Sequence, residues 1–165
     1  MILHINILVL ILIILMDKKI NVAIGSDHAG FSLKQIVIEF LKVNKIMFHD
    51  FGTYTEDPSD YPDFAHKVAS SVEKEEYRFG IVVCGSGNGV NMVVNKYQGI
   101  RSALCWRKDV AYIVRRHNDA NICALPGRFI TKQEALDIID VFLQTEFEGG
   151  RHLRRINKIP FKNDL

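Results

Sequence analysis

Of all the side chains in the sequence, Cys84 has the surroundings best suited to chemistry. It closes an apolar, β-branched run, Gly80 to Val83, and opens the stretch Gly85-Ser86-Gly87-Asn88-Gly89. The run suits a strand buried on both faces. Three glycines in the next five residues let the backbone turn sharply and present bare N–H groups, and Val90, Val93 and Val94 then follow at helical spacing. Strand, thiol, amide-rich loop and helix start therefore come in immediate succession. Unpaired N–H groups at a helix start, with the positive end of its dipole, stabilise an anion in front of them. That anion can be a Cys84 thiolate, reactive near neutral pH, or an oxyanion or phosphate of a substrate. An arbitrary cysteine is more often a small buried apolar side chain, and a glycine loop more often a tight turn. Here the glycine density and the place at a strand's carboxyl end favour function.

Other reactive groups stand at comparable places. Asp27 and His28 follow the first apolar run, Arg128 follows the last, and His117 and Asn118 close a helical pattern. Arg151, His152, Arg154, Arg155 and Lys158 form a basic cluster, too small for a nucleic-acid surface but sufficient for a phosphate. Three motif readings fail. Gly85-x-Gly87-x-Gly89 lacks the spacing of a dinucleotide fingerprint, Val90-Asn91 stands where a P-loop needs Lys-Ser or Lys-Thr, and Val90 occupies the place of a cysteine phosphatase's arginine. The remaining set suits proton abstraction next to a carbonyl in a phosphorylated substrate. No compact His/Asp cluster has metal-ligand spacing, so neither metal nor cofactor is expected. Asp27 alone could be only an N-cap. Plainer readings also hold for His49 as a strand-end residue, His66 on a helix surface, Arg115 and Arg154 as solvated neighbours, and Trp106 and Tyr97 as packing or subunit-interface residues.

The elements must bring these groups to one crevice, which in an open α/β sheet lies beyond the carboxyl ends of the strands where their order reverses. Ile20 to Ile24 reads as a first strand, followed by a helix with Leu33, Ile36, Val37, Phe40 and Leu41 inward and Lys34, Glu39 and Lys42 between them. Ile46 to Phe51 is a second strand. Pro62 suits the first turn of a helix carrying Phe64, Ala65, Val68, Ala69 and Val72 on one face. After the central strand and a helix ended by Gly99 come a fourth strand, Ile100 to Trp106, and a helix ending near Arg116-His117-Asn118-Asp119. Ala120 to Leu125 is a fifth strand and Pro126-Gly127-Arg128 a turn. Thr131 and Glu134 form a capping box for a last helix with Ala135, Ile138, Ile139 and Phe142 inward. Five alternations predict a single Rossmann-like three-layer α/β domain, a five-stranded parallel sheet with helices on both faces.

At 165 residues and a net charge of +2, the chain is one domain by size, with no charge bias toward an anionic partner. Three cysteines without paired spacing argue against a disulfide framework and fit a reducing cytoplasm; Cys105 and Cys123 read as core thiols. Met1 to Leu15 is almost wholly apolar, short for a bilayer span and without a basic start or cleavage site. It reads as an upstream extension of the gene, with the protein starting at Met16 and residues 16–165 forming the domain.

Several motifs together resemble one family. Gly25-Ser26-Asp27-His28-Ala29-Gly30-Phe31, Asp60-Tyr61-Pro62, Cys84 to Gly89, Asn95-Lys96, Arg116 to Asn121 and Glu148-Gly149-Gly150-Arg151-His152 are similar to ribose-5-phosphate isomerase type B, whose superfamily includes galactose-6-phosphate isomerase subunits. The likeness runs from Lys19 to Ile159. It implies an aldose–ketose isomerase of the pentose phosphate pathway in which Cys84 carries the proton between C1 and C2 through a cis-enediolate. Amides of Gly85, Gly87, Asn88 and Gly89, with Ser86, would hold the oxyanion, each donor worth about 3–4 kcal/mol. His117 would open the furanose, with Asp27 as counterpart. His28, Arg151 and Arg155, with Arg128, would bind the phosphate, and Tyr61 and Asn118 the sugar hydroxyls. Some members use a glutamate just after the glycine loop as base; Val90 stands there, so the cysteine mechanism is implied. The family builds its site at a dimer interface, which would set His117 of one subunit against Cys84 of the other. Membrane and nucleic-acid partners are not expected.

Overall fold

The three central apolar runs, 21–26, 79–84 and 122–126, lie inside one sheet because they are too hydrophobic to face water on either side. The computed structural model describes residues 20–160; the apolar leader expected over 1–15, and a start at Met16, lie outside them. In chain order the elements are β1 (Asn21–Ser26), α1 (Phe31–Val43), β2 (Met47–Asp50), α2 (Tyr61–Glu73), β3 (Phe79–Cys84), α3 (Asn88–Val94), β4 (Ser102–Leu104), α4 (Lys108–Asn118), β5 (Ile122–Pro126), α5 (Lys132–Gln144) and α6 (Arg151–Ile156). The strands lie in the order β2-β1-β3-β5-β4, and every pairing is parallel. The expected five-stranded parallel sheet is therefore present.

Alternate residues of the strands feed two cores. Val22, Ile24, Ile81 and Val83 face α1, α4 and α5 through Leu33, Val37, Leu41, Ala111, Ile138 and Phe142. Ala23, Val82, Cys84 and Ala124 face α2 and α3 through Ala65, Val68, Val72, Val90 and Val94. The capping box at Thr131 forms as expected, its hydroxyl accepting from Glu134 N–H while Glu134 reaches back to Thr131 N–H. Those contacts hold the Glu134 carboxyl below its usual range. Cys105 and Cys123 are core thiols, and burial, with Cys105 beside it, pushes the Cys123 thiol well up.

Four local expectations are corrected. β4 is only three residues long, and on its outer edge the Asn95 side chain accepts from Ser102 N–H at 2.9 Å and donates to Ser102 C=O at 3.0 Å. The helix after the glycine loop ends at Val94, well before Gly99. Lys34, placed among the polar residues of its helix, is fully buried, its Nζ held between both Asp50 oxygens at 2.5 and 2.6 Å and the Thr53 carbonyl at 2.7 Å. Arg115, read as a solvated neighbour, is 3% exposed. The short helix α6 carries no periodic pattern long enough to announce it.

Candidate active site

The chain turns from β1 to β2 on one side and returns to β3 on the other, so β1 and β3 flank the point where strand order reverses. Cys84 closes β3 there, 5% exposed, and its Sγ accepts the Gly87 N–H at 3.1 Å. Gly87 has φ +73°, and a Cβ on it would lie 2.4 Å from Leu104 Cδ1. Only glycine lets the loop fold back far enough to place that amide on the sulfur. Ser86, exposed, accepts from Asn88 N–H, and Asn88 and Gly89 form the first turn of α3.

Neighbouring strands supply the rest of this end. After β5, Gly127 N–H donates to Cys84 C=O at 2.9 Å and Arg128 N–H to Gly85 C=O at 3.0 Å, joining the two exit loops. The Arg128 side chain lies against Gly85, where an added Cβ would be 3.4 Å from its Nε. The Tyr61 ring lies over Gly89, an added Cβ falling 2.8 Å from its Cζ. Asp27 follows β1; its N–H donates to Val83 C=O and its carboxylate accepts Gly30 N–H at 2.9 Å, so it braces the entry to α1 without being its N-cap residue. His28 is oriented by Ser59, whose N–H donates to Nδ1 at 3.1 Å while Ser59 Oγ accepts the His28 N–H. Nδ1 also lies 3.2 Å from the Ser59 carbonyl oxygen, so the backbone of Ser59 holds the ring from both its N–H and its C=O. Asp27, His28, Tyr61, Cys84, Gly85, Ser86, Gly87, Asn88, Gly89 and Arg128 are thus gathered at one end of the sheet.

His117, Asn118, Arg151 and Arg155 are not. α4 runs back against the strands, so its last turn, holding His117 and Asn118, sits at the amino ends of β4 and β5; Arg101, just before β4, donates to Asn118 C=O at 3.0 Å. With five residues in β5 at roughly 3.3 Å each, the two ends are about 15 Å apart. At this second end α6 packs on α4, and His152 stacks face to face on His117 with centroids 4.1 Å apart and planes at 6°. Glu148 lies 3.9 Å from each ring and bonds Arg116 at 2.9 Å. Arg116 holds the Glu148 carboxyl below its usual range, and Tyr112 with Glu148 raises the Arg116 guanidinium. Burial, then the charges of His117 and Arg151, lower the His152 pKa. Sequence reasoning left Ser59 without a role, and it marked Glu148 only as part of a motif and His152 only as part of that motif and of the basic cluster.

Among the described residues, His117, Glu148 and His152 bring possible metal-ligand atoms within 4.8 Å of one another, a grouping invisible in sequence spacing. Stacked rings hold their nitrogen lone pairs in two nearly parallel planes, and one ion cannot lie in both. Glu148 is committed to Arg116, and Arg151 Nε lies 3.4 Å from His152 Nε2. Arg116, Arg151 and Arg155 all stand close to this pair.

A doubly wound α/β domain with a thiol on a glycine loop at its switch point defines a class of small-molecule enzyme fold. The chain belongs to the ribose/galactose isomerase family, whose model matches residues 22–159. It is 50% identical to a ribose 5-phosphate isomerase of Thermotoga maritima, whose crystal structure superposes with a TM-score of 0.84 over 86% of this chain and 97% of that one. A ribose-5-phosphate isomerase B from Mycoplasma genitalium, solved with bound ribulose-5-phosphate, shares 44% identity and a TM-score of 0.81 over 85% of this chain and 93% of that one. A probable ribose-5-phosphate isomerase B from the same organism is 45% identical over 84% of this chain and 93% of its own length.

Proposed function

We propose that the chain interconverts ribose 5-phosphate and ribulose 5-phosphate, in the cytoplasm and within the pentose phosphate pathway. The observation that carries this reading is the buried Cys84 sulfur bonded to a glycine-loop amide at the switch point. Family membership, and a relative holding ribulose-5-phosphate, support it. His117 opens the furanose with Asp27 as counterpart. The Cys84 thiolate removes the C2 proton, the amides of Gly85 to Gly89 with Ser86 stabilise the enediolate oxygen, and the Cys84 thiol returns the proton to C1 as the O2 proton passes to O1. His28, Arg151 and Arg155, with Arg128, hold the phosphate, and Tyr61 and Asn118 the hydroxyls.

In one copy the first and second groups lie about 15 Å apart, so the working site joins two copies, His117, Asn118, Arg151 and Arg155 of one completing the thiol end of the other. The exposure of Met92, Trp106 and Phe129, large apolar side chains that a partner would cover, supports a homodimer. A galactose-6-phosphate or allose-6-phosphate isomerase is the second reading, favoured by the family's breadth. Purified protein without added metal, offered ribose 5-phosphate, allose 6-phosphate and galactose 6-phosphate in parallel, is expected to turn over the pentose fastest. Faster turnover of a hexose would select the second reading, and none with any substrate would sink both.

A further inference from the structure

The last turn of α4 ends in an unusual way. Asp119 takes left-handed backbone angles, φ 46° and ψ 46°, where glycine is the ordinary choice. A side chain is retained at that cost for what its carboxylate does. Oδ1 accepts Arg115 Nη1 at 2.8 Å, and Oδ2 accepts Arg101 Nη2 at 2.8 Å. Arg115 is buried against the edge-to-face pair Phe79 and Phe142, its guanidinium carbon 4.9 and 5.7 Å from their centroids, and Nη1 also donates to Ala120 C=O at 2.8 Å. Among the described residues its buried Nε finds no acceptor. Arg101 Nε donates to both Asn118 C=O and Asp119 C=O. Two guanidiniums from different elements thus converge on one carboxylate and on the backbone of the residues that follow His117.

We infer that Asp119, with Arg101 and Arg115, is a positioning clamp that aims His117, by fixing the α4 terminus against β3, β4 and α5. Arg115 anchors the clamp in the core through Phe79 and Phe142, and Arg101 ties it to the start of β4. Without the clamp the last turn of α4 is free to fray, as helix ends do when their final carbonyls lose partners, and the His117 ring moves relative to the sugar.

The inference rests on the reading of His117 as the ring-opening group, and the experiment separates the two. In the full chain, Asp119→Asn is expected to lower kcat for ribose 5-phosphate about 100-fold, the scale of a small misplacement, while affinity for an acyclic phosphorylated hydroxamate shifts less than about threefold. The hydroxamate copies the enediolate and has no ring to open, so its affinity reports the thiol end together with the phosphate and hydroxyl contacts of Arg151, Arg155 and Asn118, and leaves out ring opening alone. Parallel losses in kcat and hydroxamate affinity, or an unchanged kcat, overturn the inference. If circular dichroism finds Asp119→Asn unfolded, Arg101→Gln decides: at 27% side-chain exposure it strands no buried charge, and a kcat loss of about tenfold is expected, with unchanged kcat again overturning the clamp. His117→Asn is the control. Full activity in it removes the ring-opening reading; lost activity there, with both clamp variants fully active, removes the clamp alone.

Discussion

At the scale of single residues, what could be read beforehand were the groups whose type already limits their use. A cysteine ahead of alternate glycines, and an Asp-His pair behind an apolar run, are uncommon enough to mark a site. Cys84→Ala should leave the fold and substrate binding in place and lower kcat by about 10²–10⁴-fold, the range of a lost general base. Steady-state kinetics with KM and kcat resolved will check it, and an undiminished kcat would remove Cys84 from the proton transfer. Lys34 and Arg115 were misplaced because a long charged side chain can lay its aliphatic stem along a core and still carry its head to a partner. Only the positions of Asp50 and Asp119 in space reveal that such partners exist.

Among the elements, periodicity and capping located every helix of more than two turns, and the Thr131–Glu134 box was legible from four residues of sequence. The length of β4 was not, and neither was the Asn95 side chain that bonds its outer edge from seven residues away. The loop after β2 is the element most dependent on a distant contact. Gly52 C=O accepts from Ser26 N–H, Thr53 N–H donates to Ser26 C=O, and Lys34 holds the Thr53 carbonyl, so the loop braces the end of β1 beside Asp27. Lys34→Met would leave Asp50 without its charge partner and is expected to destabilise the fold by roughly 3 kcal/mol, as broken buried pairs do. Urea unfolding of the variant against the parent measures it; a change within experimental scatter would show that the pair contributes little.

For the whole molecule, the decisive fact is that the candidate residues occupy both ends of the sheet. A site shared by two copies has a clear signature in mixed assemblies. Cys84→Ala and His117→Asn chains, each inactive alone, regain about a quarter of wild-type activity when dissociated and reassociated together, because half the dimers then hold one site with both groups intact. Activity that stays at the sum of the parents would mean that each chain works alone.

The sequence by itself determined the class of fold, the thiol-bearing loop and the identity of nearly every candidate group, because those depend on local period, turn chemistry and residue type. Only the tertiary structure decided which groups meet. It placed Ser59 on His28, stacked His152 on His117, and set Asp119 between Arg101 and Arg115. It also parted His117 from Cys84. A helix that returns antiparallel to its strands carries its last residues to the far end of the sheet, and that follows from chain direction in space, which no spacing along the sequence records.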